Sequence, residues 1–225
     1  SAKAQMAALE ALGDYKGTVA VYNYKTGELL CAVSTPTYDP DNVPDIESDE
    51  SGAYVGVYLN RFIQSSYVPG SIFKIVTVAA ALECVPGIEN ETFQCYGKIE
   101  YGTEAVTCET AHGSQSLDRA FANSCNCAFA EIAQLIGSKD MAKYSEKLGM
   151  TASHRLSGIP TLKGNYDTYP DGSIELSWSA IGQSTNLTCP YSMLRLVAAI
   201  ANEGTIVEPT LVAYEDTIKT KRMID

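Results

Sequence analysis

Hydrophobic and polar residues alternate along this chain with two different periods. Thr18-Val19-Ala20-Val21-Tyr22 and the apolar run over 28–33 flank Lys25-Thr26-Gly27, which predicts two strands joined by a turn within residues 17–34. Over 34–51 the chain is rich in Pro, Asp and Ser with scattered apolar residues, the pattern of a long loop. The period then changes. Pro69-Gly70 breaks the preceding segment, a hydroxyl residue opens the next, and an alanine-rich apolar run continues it, predicting a helix over 71–83. Residues 117–121 and 125–136 read as two helical stretches broken at Asn123-Ser124. Residues 138–148 form another, capped by Gly149, and 190–202 a last one, ended by Gly204. Strand, then helices, then strand predicts an α+β fold with a helical lobe.

Composition narrows the function classes. The chain has 225 residues, 45% hydrophobic and 19% charged, enough for one substantial domain or two small lobes around a shared core. A net charge of -11 and a pI near 4.6 leave no basic stripe to neutralise phosphates, which excludes nucleic acid as a partner. The longest apolar run, 72–82, is interrupted by Lys74 and is too short to span a bilayer. No signal peptide is visible, and Ser1-Ala2-Lys3 reads as the trimmed end of a longer chain. Among the seven cysteines, Cys95 and Cys108 bracket a segment with Gly97 and Gly102, a hairpin that a disulfide could close. Cys125 and Cys127 are the other close pair. No His pair or second Cys-x-x-Cys lies at zinc-finger spacing, so spacing argues against zinc, and no metal or cofactor is expected.

Two short motifs carry chemistry. In Ser71-Ile72-Phe73-Lys74 the lysine follows the serine by three residues on a helix, so both share a face. Ile72, Phe73, Ile75 and Val76 would bury the amine and lower its pKa, and the helix start pushes the same way. A neutral lysine can then take the proton that makes serine a nucleophile. A Ser-x-x-Lys match arises by chance about once in a chain of this size, but here it is unique and sits at a Pro-Gly helix start. At the break between the next two helical stretches lies Ser124-Cys125-Asn126, where a hydroxyl could relay protons and an amide could hold a substrate. An N-cap serine beside a turn-forming asparagine is the bland alternative. Ser184-Thr185-Asn186 repeats the pattern but falls in a loop. His112 and His154 lack a Gly-x-Ser-x-Gly elbow, so a Ser-His-Asp centre is not indicated. The sequons at Asn90 and Asn186 carry little weight.

With these motifs in hand the chain resembles the penicillin-binding proteins of the serine β-lactamase and D,D-peptidase superfamily. The resemblance extends through 17–30, Ser34-Thr35-Pro36-Thr37-Tyr38-Asp39-Pro40, Asn60-Arg61 and Tyr67-Val68-Pro69-Gly70 before Ser71. It continues through Ala111-His112-Gly113, Ile181-Gly182-Gln183, Thr188-Cys189-Pro190 and 198–204, in family order, and is closest to the class B monofunctional transpeptidases. It implies a β-lactamase/transpeptidase-like α+β fold: an antiparallel sheet flanked by helices, with an all-helical lobe, residues 1–225 forming a single partial domain. It also implies Ser71 as the acylated nucleophile, Lys74 as its base, Ser124 and Asn126 as the second motif, and no cofactor. The substrates implied are peptidoglycan stem peptides ending in D-Ala-D-Ala, with β-lactam antibiotics as mimics. The intact protein would be anchored in the membrane, act on its outer face and meet other cell-wall synthesis proteins. A β-lactam sensor or an inactive peptidoglycan-binding module of the same fold is the alternative; a β-lactamase is disfavoured because no deacylating glutamate is identifiable. The family's third motif, Lys-Thr-Gly on a late strand, is expected beyond Asp225, together with the C-terminal strands of the sheet. Lys25-Thr26-Gly27 comes too early, and Lys219-Thr220-Lys221 lacks the glycine.

Overall fold

The computed structural model describes residues 1–212 and 219–224. Its helices, in chain order, are α1 (Ala2–Leu12), α2 (Lys74–Cys84), α3 (Leu117–Ala122), α4 (Asn126–Ile136), α5 (Ser138–Lys147), α6 (Ile174–Ala180) and α7 (Pro190–Ala201). The strands are β1 (Thr18–Tyr22), β2 (Leu29–Ser34), β3 (Thr92–Cys95), β4 (Lys98–Tyr101) and β5 (Glu104–Thr107). They continue with β6 (Gly113–Ser116), β7 (Arg155–Leu156), β8 (Ile159–Pro160), β9 (Thr205–Val207) and β10 (Thr220–Arg222). Among the described residues no helix is long and apolar enough to cross a membrane. The chain divides into two compact units, one of Ser1–Ser66, Ser153–Lys163 and Cys189–Asp225, the other of Tyr67–Ala152 and Gly164–Thr188.

In the first unit, β1 and β2 pair antiparallel with Thr18 opposite Ser34 and Val19 opposite Val33. Their turn is set by Asn23, whose Oδ1 accepts from the Lys25 amide at 2.9 Å while its carbonyl accepts from Gly27 at 2.7 Å. Lys25-Thr26-Gly27 is therefore a hairpin turn, as its place in the sequence suggests. The other triplet, Lys219-Thr220-Lys221, enters β10, which pairs antiparallel with β9. Ala198 and Ala199 of α7 pack with Tyr22, Ile206 and Met223. The sequence pattern left α1 unmarked; its Ala8 packs on Cys31 and Val33 of β2. Arg195 of α7 is buried and tied to Glu208, its Nε donating to Oε2 at 2.9 Å.

The second unit is mainly helical and carries the two sequence motifs. Phe129 and Ala130 of α4 form its core with Val106, Ile174 and Ile181. The predicted break at Asn123-Ser124 is real: α3 ends there, and Ser124 takes a left-handed φ of 50° before α4 begins. The first turn of the predicted 71–83 helix is 3₁₀ over Gly70–Phe73, after which α2 continues. This lobe is not all helix, because β3 pairs with β6 and β4 with β5. Gly97, Gly102 and Gly113 supply the turns that let residues 92–116 fold as short ladders instead. The hairpin between Cys95 and Cys108 is present, but both cysteines are free thiols, with no disulfide closing it.

Candidate active site

The turn that carries Ser71 is fixed by a close backbone approach. The Gly70 amide donates to the Gly182 carbonyl at 2.8 Å. Gly182 has φ +81°, and a Cβ there would lie 2.1 Å from the Gly70 oxygen, so only glycine fits. This gives Ile181-Gly182-Gln183 a physical role: it is the anvil against which the serine turn is held. Within the 3₁₀ turn, residues three apart eclipse one another. Ser71 is exposed at the surface while Lys74, three residues on, is 1% exposed. Phe73, between them, is buried and stacks on Tyr166 with centroids 5.8 Å apart.

Lys74 Nζ is the hub of the site. It donates to the Ser124 carbonyl at 2.7 Å and to Asn126 Oδ1 at 2.7 Å, and lies 3.0 Å from Ser124 Oγ and 3.4 Å from Ser71 Oγ. The Asn126 amide is oriented by its Nδ2 donating to the Thr107 carbonyl at 2.8 Å, which leaves Oδ1 facing the lysine. Proton counting then decides what the amine can do. Two of its four neighbours, the Ser124 carbonyl and Asn126 Oδ1, can only accept, whereas the hydroxyls of Ser71 and Ser124 can donate or accept. A neutral amine keeps one N–H on each obligate acceptor and turns its lone pair to the hydroxyls. Burial lowers the Lys74 pKa to about 8, opposed by the nearby thiols of Cys108 and Cys125, and the Phe129 ring lies 5.3 Å away. The neutral form is therefore a minority near neutral pH, far larger than for an exposed lysine, and becomes dominant above about pH 8. The four residues singled out in the sequence come together on this one amine.

Other sequence candidates have structural work. Asn186 is buried with its Nδ2 donating to the Ser179 carbonyl at 2.6 Å, and Ser184 meets Tyr169 OH at 2.9 Å, so the second Ser-x-Asn braces a loop. His154, in the first unit, lies 3.3 Å from Arg195 Nη1. His112 does not face the serine: its Nδ1 is 3.5 Å from Cys95 Sγ. The fold also gathers cysteines that lie at no metal-binding spacing along the chain. Cys95, Cys108, His112 and Cys125 converge with their donor atoms all within 4.8 Å of one another. Their spacing along the chain does not mark them, because it is the ladders that gather the four. Pairing of Cys95 with Gly113 brings His112 alongside, and pairing of Lys98 with Thr107 carries Cys108 back to the same end.

An α+β fold that sets an exposed serine one tight turn before a buried lysine, with a Ser-x-Asn turn on the same amine, defines the penicillin-interacting serine proteins. The family model of the penicillin binding protein transpeptidase domain matches residues 17–224, and the chain belongs to that family. It is 28% identical over 215 residues to "Peptidoglycan D,D-transpeptidase PbpA" of Mycobacterium tuberculosis, covering 89% of this chain and 43% of that protein. With "Stage V sporulation protein D" of Bacillus subtilis it shares 32% identity over 201 residues, 86% of this chain and 30% of that one. The chain thus spans less than half the length of these curated relatives. Among solved structures, PBPA from Mycobacterium tuberculosis superposes with a TM-score of 0.82 at 26% identity, over 99% of this chain and 58% of that one. The ceftriaxone acyl-enzyme complex of penicillin-binding protein A from the same organism has a TM-score of 0.74 at 27% identity, over 88% and 47%.

Proposed function

We propose that this chain is the acylating part of a peptidoglycan D,D-transpeptidase, with Ser71 as nucleophile, Lys74 as general base, and Ser124 and Asn126 as the second motif. The observation that carries this is the convergence of both motifs on Lys74 Nζ. Ser71 Oγ attacks the carbonyl of the penultimate D-alanine while its proton passes to the neutral amine of Lys74. The backbone N–H of Ser71 supplies one donor to the oxyanion. Collapse of the tetrahedral intermediate breaks the peptide C–N bond, and the departing D-alanine nitrogen takes a proton from Lys74 through the Ser124 hydroxyl. An amine from a neighbouring strand then attacks the ester and releases Ser71, completing a cross-link. A β-lactam presents the same kind of carbonyl, and its ring opening leaves a penicilloyl ester on Ser71; β-lactam acyl-enzymes of the related penicillin-binding protein A support this. Anchoring of the whole protein in the membrane, action on its outer face, and contacts with other cell-wall proteins belong to the same reading, since its substrate, peptidoglycan, lies outside the cytoplasmic membrane. Residues 1–225 are read as part of a single domain, supported by the family match over 17–224.

A fluorescent penicillin tests the assignment. Labelling should be lost in Ser71→Ala, and in Lys74→Ala acylation should slow by about 10²–10⁴ because the base is gone. Labelling that survives in Ser71→Ala would place the nucleophile elsewhere.

A further inference from the structure

Three thiols and one imidazole crowd behind the second motif, and acylation chemistry uses none of them. Cys95 ends β3, Cys108 follows β5, His112 precedes β6, and Cys125 is the residue between Ser124 and Asn126 that opens α4. We infer that Cys95, Cys108, His112 and Cys125 bind one zinc-class divalent ion, which pins the Ser124-Cys125-Asn126 turn to the ends of the β-ladders.

Two edges of the cluster match those of a tetrahedral site, and all its donor atoms lie within 4.8 Å of one another. A zinc ion about 2.3 Å from sulfur and about 2.0–2.1 Å from nitrogen requires S···S edges of about 3.8 Å and S···N edges of about 3.5 Å. Cys108 Sγ and Cys125 Sγ are 3.8 Å apart, and Cys95 Sγ and His112 Nδ1 are 3.5 Å apart. A disulfide would draw two sulfurs to about 2.05 Å and leave the third thiol and the imidazole without a purpose. Backbone donors already point at the sulfurs: the Cys127 amide lies 3.4 Å from Cys108 Sγ and the Ala128 amide 3.4 Å from Cys125 Sγ. Such donors stabilise metal-bound thiolates. Cys95 and Cys125 are buried and the other two half-buried, so the cluster is largely shielded from water. Three sulfurs and an imidazole favour zinc over magnesium, calcium or manganese, which prefer oxygen. Four protein ligands close the coordination shell, so the ion is structural and takes no substrate. Its reach to function is through neighbours, since Ser124 and Asn126 flank Cys125 and both contact Lys74. That last step rests on the function proposed above; the metal site itself does not.

Elemental analysis of the full chain, purified with zinc present and then desalted, should find about one zinc per molecule, as a closed four-ligand site requires. Cobalt substitution of the unaltered protein should give thiolate-to-cobalt charge transfer and tetrahedral d–d bands, a readout that needs no variant to fold. Cys95→Ser and His112→Ala should each lose the ion, whereas Cys84→Ser should keep it. Chelation should slow penicillin acylation by about 10²-fold, the scale of a slight misplacement of catalytic groups. Zinc, and not magnesium, should restore it. A metal-free protein with free thiols, a protein lacking cobalt bands, or an intact mass showing a disulfide among these cysteines would overturn the site. Zinc bound at one per chain with acylation indifferent to its removal would overturn the positioning role alone, leaving serine labelling to judge the transpeptidase reading separately.

Discussion

Replacing Gly182 with alanine should disable the turn that carries Ser71 without touching any group proposed to react. Two costs add at this position. An L-residue held at φ +81° loses about 1–2 kcal/mol relative to glycine. The new Cβ would also stand 2.1 Å from the Gly70 carbonyl oxygen and 2.6 Å from Phe73 Cβ, so two backbone segments must separate. Separation breaks the 2.8 Å bond from the Gly70 amide to the Gly182 carbonyl, about 1 kcal/mol, with repacking adding about 1–3 kcal/mol. The sum, about 3–6 kcal/mol, is a large part of the roughly 5–15 kcal/mol that stabilises a typical domain. Gly87 provides the control. Its φ is +83°, yet nothing lies within 4 Å of where a Cβ would go, so Gly87→Ala should cost only the conformational share. At about 2–4 °C per kcal/mol for a chain of this length, Gly182→Ala should lower the melting temperature by about 6–24 °C and Gly87→Ala by about 2–8 °C. Calorimetry measures the first quantity and stopped-flow acylation by a penicillin the second. Acylation should slow in Gly182→Ala, because Ser71 follows Gly70 directly, and stay unchanged in Gly87→Ala. Equal melting shifts, or undiminished acylation in Gly182→Ala, would refute the close-approach argument.

If Lys74 is the proposed base, the acylation rate should rise with pH and level off above about 8, because the protonated amine cannot accept the serine proton and burial lowers its pKa to about 8; a pH–rate profile with a fluorescent penicillin checks this. Asn126→Ala removes one of the two obligate acceptors on Lys74 and the strut to the Thr107 carbonyl, so acylation should fall by about 10²-fold with little change in melting temperature. In the first unit, Glu208→Ala strands buried Arg195 without its carboxylate and should cost about 3 kcal/mol in a denaturant titration, since breaking a buried pair leaves an unpaired charge.

Much of this protein was legible without coordinates because the relevant physics is local. The Pro-Gly break before Ser71, the three-residue step to Lys74, and the helix ends at Gly149 and Gly204 follow from neighbouring residues' own dihedral preferences and hydrogen bonds. Each of these features reappears in the structure. The hairpin turn at Lys25-Thr26-Gly27 and the break at Ser124 are legible for the same reason. What tertiary structure alone decided spans distance along the chain. Lys74 meets Ser124 across a separation of 50 residues, and no periodicity announces that contact. Gly182 looks like any loop glycine until Gly70 is laid against it. The thiol cluster shows no spacing signature because its members lie on three ladder ends and a helix start, close in space only after the strands pair. α1 went unmarked because the apolar residues that stabilise it belong to β2. Local preferences write elements into a sequence, whereas the meeting of distant side chains is settled only when buried surface and paired strands make one closure of the chain cheaper than its rivals.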